Sequence, residues 1–526
     1  MPYPPATVSF DSPRALRRPL FRVSPRLLPW LAPIVVVVVW KLQPLQWAGT
    51  VNKGVPALIA LAAVLLLSRR PNACLIALFA FMPYQLFVPA WLYAQNVPLQ
   101  IIRPLTAWRE LFGLAIALAA VRVARAEKRR LRGIDAWALA YVVVVGAYTL
   151  FPTLFSSTAP DDSTVVSYAF RSSAGFVLLF LACRHAPFTA RGRERAEQAL
   201  RWTSVVVAAM ALWEFLAGDS WNTWVVQTLQ VPRYQALVLN SPPFNLLDVR
   251  VIVSVGGRDV VRVSSVLGSP LVLGHFMLVP FGLALERALR GRTRGATLQA
   301  VLFGTTILLT QTRSALLGAV VVIALVMRRA PGRSPATRSR FWLVLVGVVI
   351  AATPFIFSAG LLDRFSDDTN SSTEHQSSFS DSLVFIGAAP LGRGLGTTAG
   401  VGQRFGGGDA IVSENYYLQV AIETGVLSCV VFIGLVLTIN RGLRRARDAT
   451  GEAFIAGVRN GFVGISLAAA FLHAFNDQTV AWVAFGAAGA ALGVTRRARD
   501  HDQPRSATMD AAANATATES GLTSHI

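Results

Sequence analysis

Apolar residues recur along this chain in runs of about 15–24 positions between short polar stretches, from near residue 28 to near residue 495. Ile34-Val35-Val36-Val37-Val38-Val39-Trp40 and Val142-Val143-Val144-Val145 carry no polar positions and leave little room for a soluble core. A run that crosses hydrocarbon must satisfy its own backbone N–H and C=O groups, so the runs read as helices and not as buried strands. The pattern predicts an all-α, polytopic membrane helix bundle of about 12–14 transmembrane helices. Their places are 28–47, 54–68, 71–94, 104–124, 134–155, 166–184, 201–218, 264–286, 296–311, 313–327, 341–361, 416–439, 454–475 and 478–495. The pair meeting near residue 312 also reads as one interrupted hairpin. Two connections are long: 218–263, with Trp221-Asn222-Thr223-Trp224, and 362–415, which is polar and rich in glycine. Connections of that length are functional or disordered.

Composition agrees with the pattern. The chain is 53% hydrophobic and 15% charged, where a soluble domain carries roughly a quarter charged residues. A net charge of +21 raises nucleic-acid binding, but the arginines fall in short clusters between apolar runs. These clusters lie at 14–26, 69–70, 122–132, 184–201, 287–294, 328–340, 441–447 and 496–505, and hold roughly 35 of the 49 Lys and Arg residues. They occupy alternate loops, which places both termini in the cytoplasm and both long connections outside a bacterial cytoplasmic membrane. Residues 1–27 read as a disordered basic N-terminus, 28–498 as one transmembrane domain, and the Ala/Thr/Ser-rich 499–526 as a disordered cytoplasmic tail. The first apolar run lacks a small-residue cleavage site and reads as a transmembrane helix, not a signal peptide. Three cysteines and six histidines are scattered, so neither a disulfide framework, a protein-bound metal nor a cofactor is expected.

Basic residues on the outer side oppose the trend and are therefore informative. Arg262 opens Arg262-Val263-Ser264-Ser265-Val266-Leu267-Gly268-Ser269-Pro270, and Arg313 lies in Leu308-Leu309-Thr310-Gln311-Thr312-Arg313-Ser314. Arginine at the edge of hydrocarbon either binds something or snorkels to the interface and pairs with a structural carboxylate. A guanidinium suits a diphosphate because it offers paired donors. Glu414, in Ser413-Glu414-Asn415-Tyr416-Tyr417-Leu418-Gln419, is either a base for a hydroxyl or a solvated acid before a helix. Glu423, in apolar surroundings, either pairs with an outer arginine or makes a structural contact inside the bundle. Gly392-Arg393-Gly394-Leu395-Gly396-Thr397 has no preceding strand and no crossover unit, so a dinucleotide site is excluded and a tight turn beside a ligand or helix is expected. Leu472-His473-Ala474-Phe475-Asn476-Asp477 either contributes acid or base groups or, through Asn476 and Asp477, forms a hydrogen-bonded cap.

In this order, the residues resemble the O-antigen ligase and polymerase superfamily of bacterial cell-surface glycan enzymes. The resemblance covers about 260–440 and rests on four pieces. These are Arg262 with Gly268 and Pro270; Thr310, Thr312 and Arg313; Gly392, Gly394, Gly396 and Thr397; and Asn415, Leu418, Glu423 and Gly425. Thr312 stands for the usual Ser, Leu271 for an Asn that often follows the Pro, and Glu414 for the ligase His. A polymerase, or a ligase for another glycan or acceptor, therefore fits at least as well as ligation to lipid A core. The resemblance implies a metal-independent membrane glycosyltransferase of cell-wall or exopolysaccharide biogenesis, moving a glycan from a polyprenyl-diphosphate carrier to an acceptor sugar hydroxyl of a glycan or glycolipid. Arg262 and Arg313 would hold the diphosphate and stabilise charge on the leaving group. Glu414 would orient or deprotonate the acceptor, and Arg393 and Asn415 complete the candidate binding set. The rival is a transporter or flippase of lipid-linked oligosaccharide, although no repeat relates the two halves. The geometry that separates these readings is whether Arg262, Arg313 and Glu414 meet in one pocket.

Overall fold

The computed structural model describes residues 60–127, 133–151, 163–238, 249–255, 258–290, 294–328, 369–398 and 413–493, with a few isolated positions besides. The expected N-terminal segment 1–27, the span at 28–47, nearly all of that at 341–361, and the tail 499–526 lie outside the described residues.

Helices follow the apolar runs, and proline decides where several of them stop. The expected span at 71–94 is divided into α2 (Pro71–Phe81), a 3-10 turn at Met82–Tyr84 and α3 (Phe87–Ala94). Pro83 has no N–H to donate, and its ring collides with the carbonyl four residues back. α1 (Ala60–Leu67) and the helix beginning at Pro71 are bent by 111°. The chain continues through α4 (Leu99–Leu105), α5 (Trp108–Ala126), α6 (Gly133–Leu150), α7 (Ser163–His185) and α8 (Ala190–Leu216). The connection at 218–263 is more ordered than a loop. It contains α9 (Gly218–Thr223), α10 (Val231–Leu237) and an antiparallel hairpin of β1 (Val251–Val255) and β2 (Arg258–Arg262), in the register Val251 to Arg262. α11 (Pro270–Leu289), α12 (Arg294–Leu309) and α13 (Arg313–Met327) follow. α14 (Thr369–Ala388) then occupies part of the connection expected to be polar loop. α15 (Tyr416–Thr450), α16 (Ala453–Ala468) and α17 (Gln478–Gly493) complete the described bundle.

Among the described residues, five helices are long and apolar enough to cross a membrane: α6, α7, α8, α11 and α15. The bent pair makes a sixth if it is one span. α12, α13, α16 and α17 are apolar but shorter. A helix of about 16 residues is ~24 Å long, against ~30 Å of hydrocarbon. The described full-length spans are fewer than the 12–14 expected, because two expected spans lie wholly or almost wholly outside the described residues and several other runs form shorter helices. The run at 454–475 likewise ends its helix at Ala468, and 469–477 is irregular.

α11 is the pole of the bundle. Seventeen of its 20 residues are buried, so it faces protein on all sides, with α12, α13 and α16 packed around it. α16 approaches it through glycines. A Cβ at Gly461 would lie 2.6 Å from the Val279 Cα, and one at Gly457 would lie 2.6 Å from the Leu283 Cα. Between helices in lipid, such small-residue stripes replace hydrophobic driving force with close backbone contact. At the end where arginines cluster, the buried Glu197 accepts from Arg287 Nε at 2.5 Å and Nη2 at 2.7 Å, and the Glu286 carboxylate accepts from Asn460 at 3.0 Å. At the other end, Phe176, Phe475 and Phe485 meet between α7, α17 and the 469–477 segment, with Phe176 and Phe485 centroids 4.6 Å apart. That cluster anchors the 469–477 segment to α7 and α17.

Gly461→Ala forces two backbones apart and is expected to cost about 1–3 kcal/mol, read as a lower melting temperature in detergent. Gly146→Ala in α6 meets nothing within 4 Å and should leave stability unchanged or raise it by up to ~1 kcal/mol.

Candidate active site

Two tight turns at one end of the bundle prepare the site. The first, 310–312, joins α12 to α13, with Gln311 in the left-handed region at φ 49. Thr310 Oγ1 donates to Ile307 O at 2.7 Å and accepts from Thr312 N at 3.3 Å, and Thr312 Oγ1 donates to Pro270 O at 3.3 Å. A helix end leaves carbonyls without helical partners. Arg262, at the end of β2, supplies a donor: its Nε reaches Thr310 O at 3.0 Å and its Nη2 reaches Thr312 Oγ1 at 3.3 Å. The second turn leads into α11. Ser265 stands at φ 51, and Glu214, fully buried near the end of α8, accepts from Ser264 N at 2.8 Å, Ser265 N at 2.6 Å and Ser264 Oγ at 3.0 Å. Glu214 thereby fixes the strand end that carries Arg262. Sequence reasoning passed over it, although a lone acid in Leu212-Trp213-Glu214-Phe215-Leu216 is the kind of intramembrane charge that marks a site.

A cavity of about 380 Å³ opens beside these turns, between the starts of α13 and α15, α14 and the 469–477 segment. Arg313, Ser314, Ser378, Glu414 and Asn415 supply its polar wall, and Leu317, Phe379 and Phe471 its apolar wall. Arg313 is the first residue of α13 and is exposed. A cation at a helix N-terminus is disfavoured by the macrodipole, and guanidinium and helix end together attract an anion. Behind it, the buried His275 Nε2 lies 2.9 Å from Ser314 Oγ. Asn415 is the N-cap of α15: its Oδ1 accepts from Tyr417 N at 2.9 Å and Leu418 N at 3.2 Å, while its Nδ2 donates to Ala470 O at 2.8 Å. The cap holds the half-buried Glu414 on the wall. Ser382 and Ser413, with hydroxyl oxygens 3.1 Å apart, fasten α14 there.

Of the sequence-predicted residues, Arg313, Glu414 and Asn415 therefore share one cavity. Arg262 lies behind it on the turn that presents Arg313, and does not line it. Arg393 is not in the lining either; its guanidinium stacks over the Phe385 ring at 4.6 Å. The glycine segment serves the backbone of α15. That helix is broken at Thr424 and at Gly425, where φ is 80 and ψ 167. The backbone groups released are taken up by 390–394: Arg393 N donates to Ile422 O at 2.7 Å, Gly394 N to Glu423 O at 3.0 Å, and Val426 N to Pro390 O at 3.0 Å. Gly392, at φ 92, admits this approach, since a Cβ there would lie 2.6 Å from Gly425 N. Glu423 points into the same joint and accepts from Thr398 Oγ1 at 2.6 Å, a structural contact inside the bundle. In the 469–477 segment, Asp477 caps α17 by accepting from Thr479 N at 2.7 Å and Val480 N at 3.2 Å. Burial pushes its carboxyl above the usual range. The His473 Nδ1 has no hydrogen-bond partner among the described residues.

Residues 298–433 match the family model described as O-antigen ligase. This protein carries an O-antigen ligase domain. The O-antigen ligase domain contains Arg313, Arg393, Glu414, Asn415 and the broken part of α15, and leaves Arg262 outside it. It gives the chain glycan transfer of the O-antigen ligase type as its general activity, with a lipid-linked glycan and an acceptor glycan as the substrates the family implies. With the apolar helices, it makes the chain a multi-pass bacterial membrane protein. No curated protein matches the chain.

Glu214→Ala leaves two buried N–H groups without their acceptor and is expected to cost about 2–4 kcal/mol. Glu214→Gln keeps one acceptor oxygen and should fall between the two. Melting temperatures in detergent rank the three proteins, and a ranking with Gln below Ala contradicts the assignment.

Proposed function

We propose that the cavity transfers a glycan from a polyprenyl-diphosphate carrier to an acceptor sugar hydroxyl, at the membrane face opposite the arginine-rich loops. The observation that carries this reading is the pairing of Arg313 with Glu414 on one cavity wall. A volume of about 380 Å³ lies within the usual range for small-molecule sites. It suits the reacting sugar and diphosphate, with the rest of the glycan left outside.

In this mechanism the acceptor oxygen attacks the anomeric carbon, and its proton passes to Glu414. The bond from that carbon to the diphosphate oxygen breaks, and the diphosphate leaves with the electron pair. Arg313 and the N-terminus of α13 meet the charge developing on the leaving group. Arg262 acts through the 310–312 turn by placing Arg313, and Asn415 acts by holding Glu414. Arg393 contributes to glycan binding beyond the cavity, from the segment that seals α15. A guanidinium and a helix terminus supply the positive charge this departure needs, so the reaction is metal-independent. Basic clusters at 184–201, 287–294 and 441–447 favour the cytoplasm for the opposite end, so the cavity faces outward and both termini lie inside.

Arg313→Ala is expected to lower transfer by purified protein about 10²–10³-fold while leaving membrane insertion intact. Glu414→Gln should lower it by about 10²–10⁴-fold, and EDTA should leave the wild-type rate unchanged. Retained transfer by Arg313→Ala sinks its role. Movement of lipid-linked glycan across proteoliposomes with no covalent product would favour a flippase. In cells, lost polysaccharide chain length marks a polymerase, whereas full length without attachment marks a ligase.

A further inference from the structure

The arginine-rich end of the bundle holds a second feature, independent of glycan transfer. Past its break at Thr424 and Gly425, α15 runs on to Thr450, about 25 residues or ~37 Å at the rise of an α-helix, so its last turns extend beyond a hydrocarbon core of ~30 Å. Those turns carry Arg441, Arg444, Arg445 and Arg447. After Gly451, α16 turns back along α15 and carries Arg459 within electrostatic range of Arg444 and Arg447, with Asp448 and Glu286 in range too. Both carboxylates are already engaged. Asp448 accepts from Arg447 Nε at 2.7 Å and lies 4.0 Å from Arg444, while Glu286 accepts from Asn460 at 3.0 Å and lies 3.7 Å from Arg290. Arg459 has Asn460 Oδ1 at 3.5 Å, the limit of a hydrogen bond, and its buried Nε has no partner among the described residues. Among the described residues here, Arg290, Arg444, Arg447 and Arg459 outnumber Asp448 and Glu286, and Arg459 is partly buried. Such an arrangement is unfavourable unless an anion completes it.

The surface beside it indicates which anion. Val430, Ile433 and Leu437 are exposed on α15, and Arg444 follows Leu437 by two helical turns on the same face. An apolar stripe that ends in guanidinium groups matches an acyl chain below a charged headgroup. We propose that Arg447 and Arg459 form a phosphate-binding site between α15 and α16 that holds the headgroup of an anionic phospholipid.

The test uses full-length protein purified in neutral detergent and titrated separately with phosphatidylglycerol, phosphatidylcholine and inorganic phosphate. Bound lipid is counted by native mass spectrometry, and melting temperature is followed alongside. Phosphatidylglycerol should be retained over phosphatidylcholine. Arg459→Gln should weaken that retention by about tenfold, and Arg459→Lys, which keeps the charge without the fork, by less. Arg445→Gln, an exposed position on the same helix, should change it by less than about twofold. If Arg459→Gln does not fold, Arg447→Gln takes its place with the same expected loss. Equal retention by wild type and variant overturns the site. Equal protection by inorganic phosphate alone overturns the lipid as its occupant.

Discussion

A backbone polar group in an apolar bundle has no water to turn to, and this constraint shapes every interruption of the helices near the cavity. Where α15 unwinds at Thr424 and Gly425, the 390–394 backbone supplies two donors and an acceptor. Where α12 ends, Arg262 meets the Thr310 carbonyl. Where the chain enters α11, Glu214 meets two N–H groups. Each unmet group would cost several kcal/mol in such surroundings, so the breaks persist only with their partners in place. Irregular backbone at membrane depth is tolerated where it is enclosed by protein or lines a cavity, and here it is one or the other.

This constraint divides the polar residues into two kinds. Arg262, Glu214, Glu423 and the amide of Asn415 bond to backbone or to a neighbouring side chain, and so hold the wall in shape. Arg313, Ser314 and Glu414 stand on the wall itself. A guanidinium directly after a strained turn keeps its position because the turn is tied to β2 and to the start of α11, and the chain after β2 is tied to the end of α8. Backbone in sparsely populated conformations collects at such places, as Ser265 and Gln311 do.

The chain therefore uses similar residues for opposite ends. Opposite the cavity, Glu197 with Arg287 and Glu286 with Asn460 join α8, α11 and α16, while α15 ends in arginine-rich turns. Between the two ends, α11 and α16 touch through glycine, and no charge is needed there.

Much of this was legible in the sequence. Apolar runs set the all-α class, and arginine clusters separated the two ends. The motifs at 310–313, 392–397 and 413–415 marked the neighbourhood that the O-antigen ligase match also covers. Periodicity could not divide 71–94, because proline acts on a hydrogen bond and not on hydropathy. Nor could it find α14, whose sequence Thr369–Ala388 is largely polar and lies against the cavity. The sequence by itself determined which segments enter an apolar environment, because transfer of side chains depends on composition alone. Only the tertiary structure decided that Arg313 and Glu414, 101 positions apart in the chain, share a cavity while Arg262 and Glu423 serve the backbone. Sequence spacing does not say which helix end an orphaned carbonyl or a guanidinium will find, and only packing brings the two together.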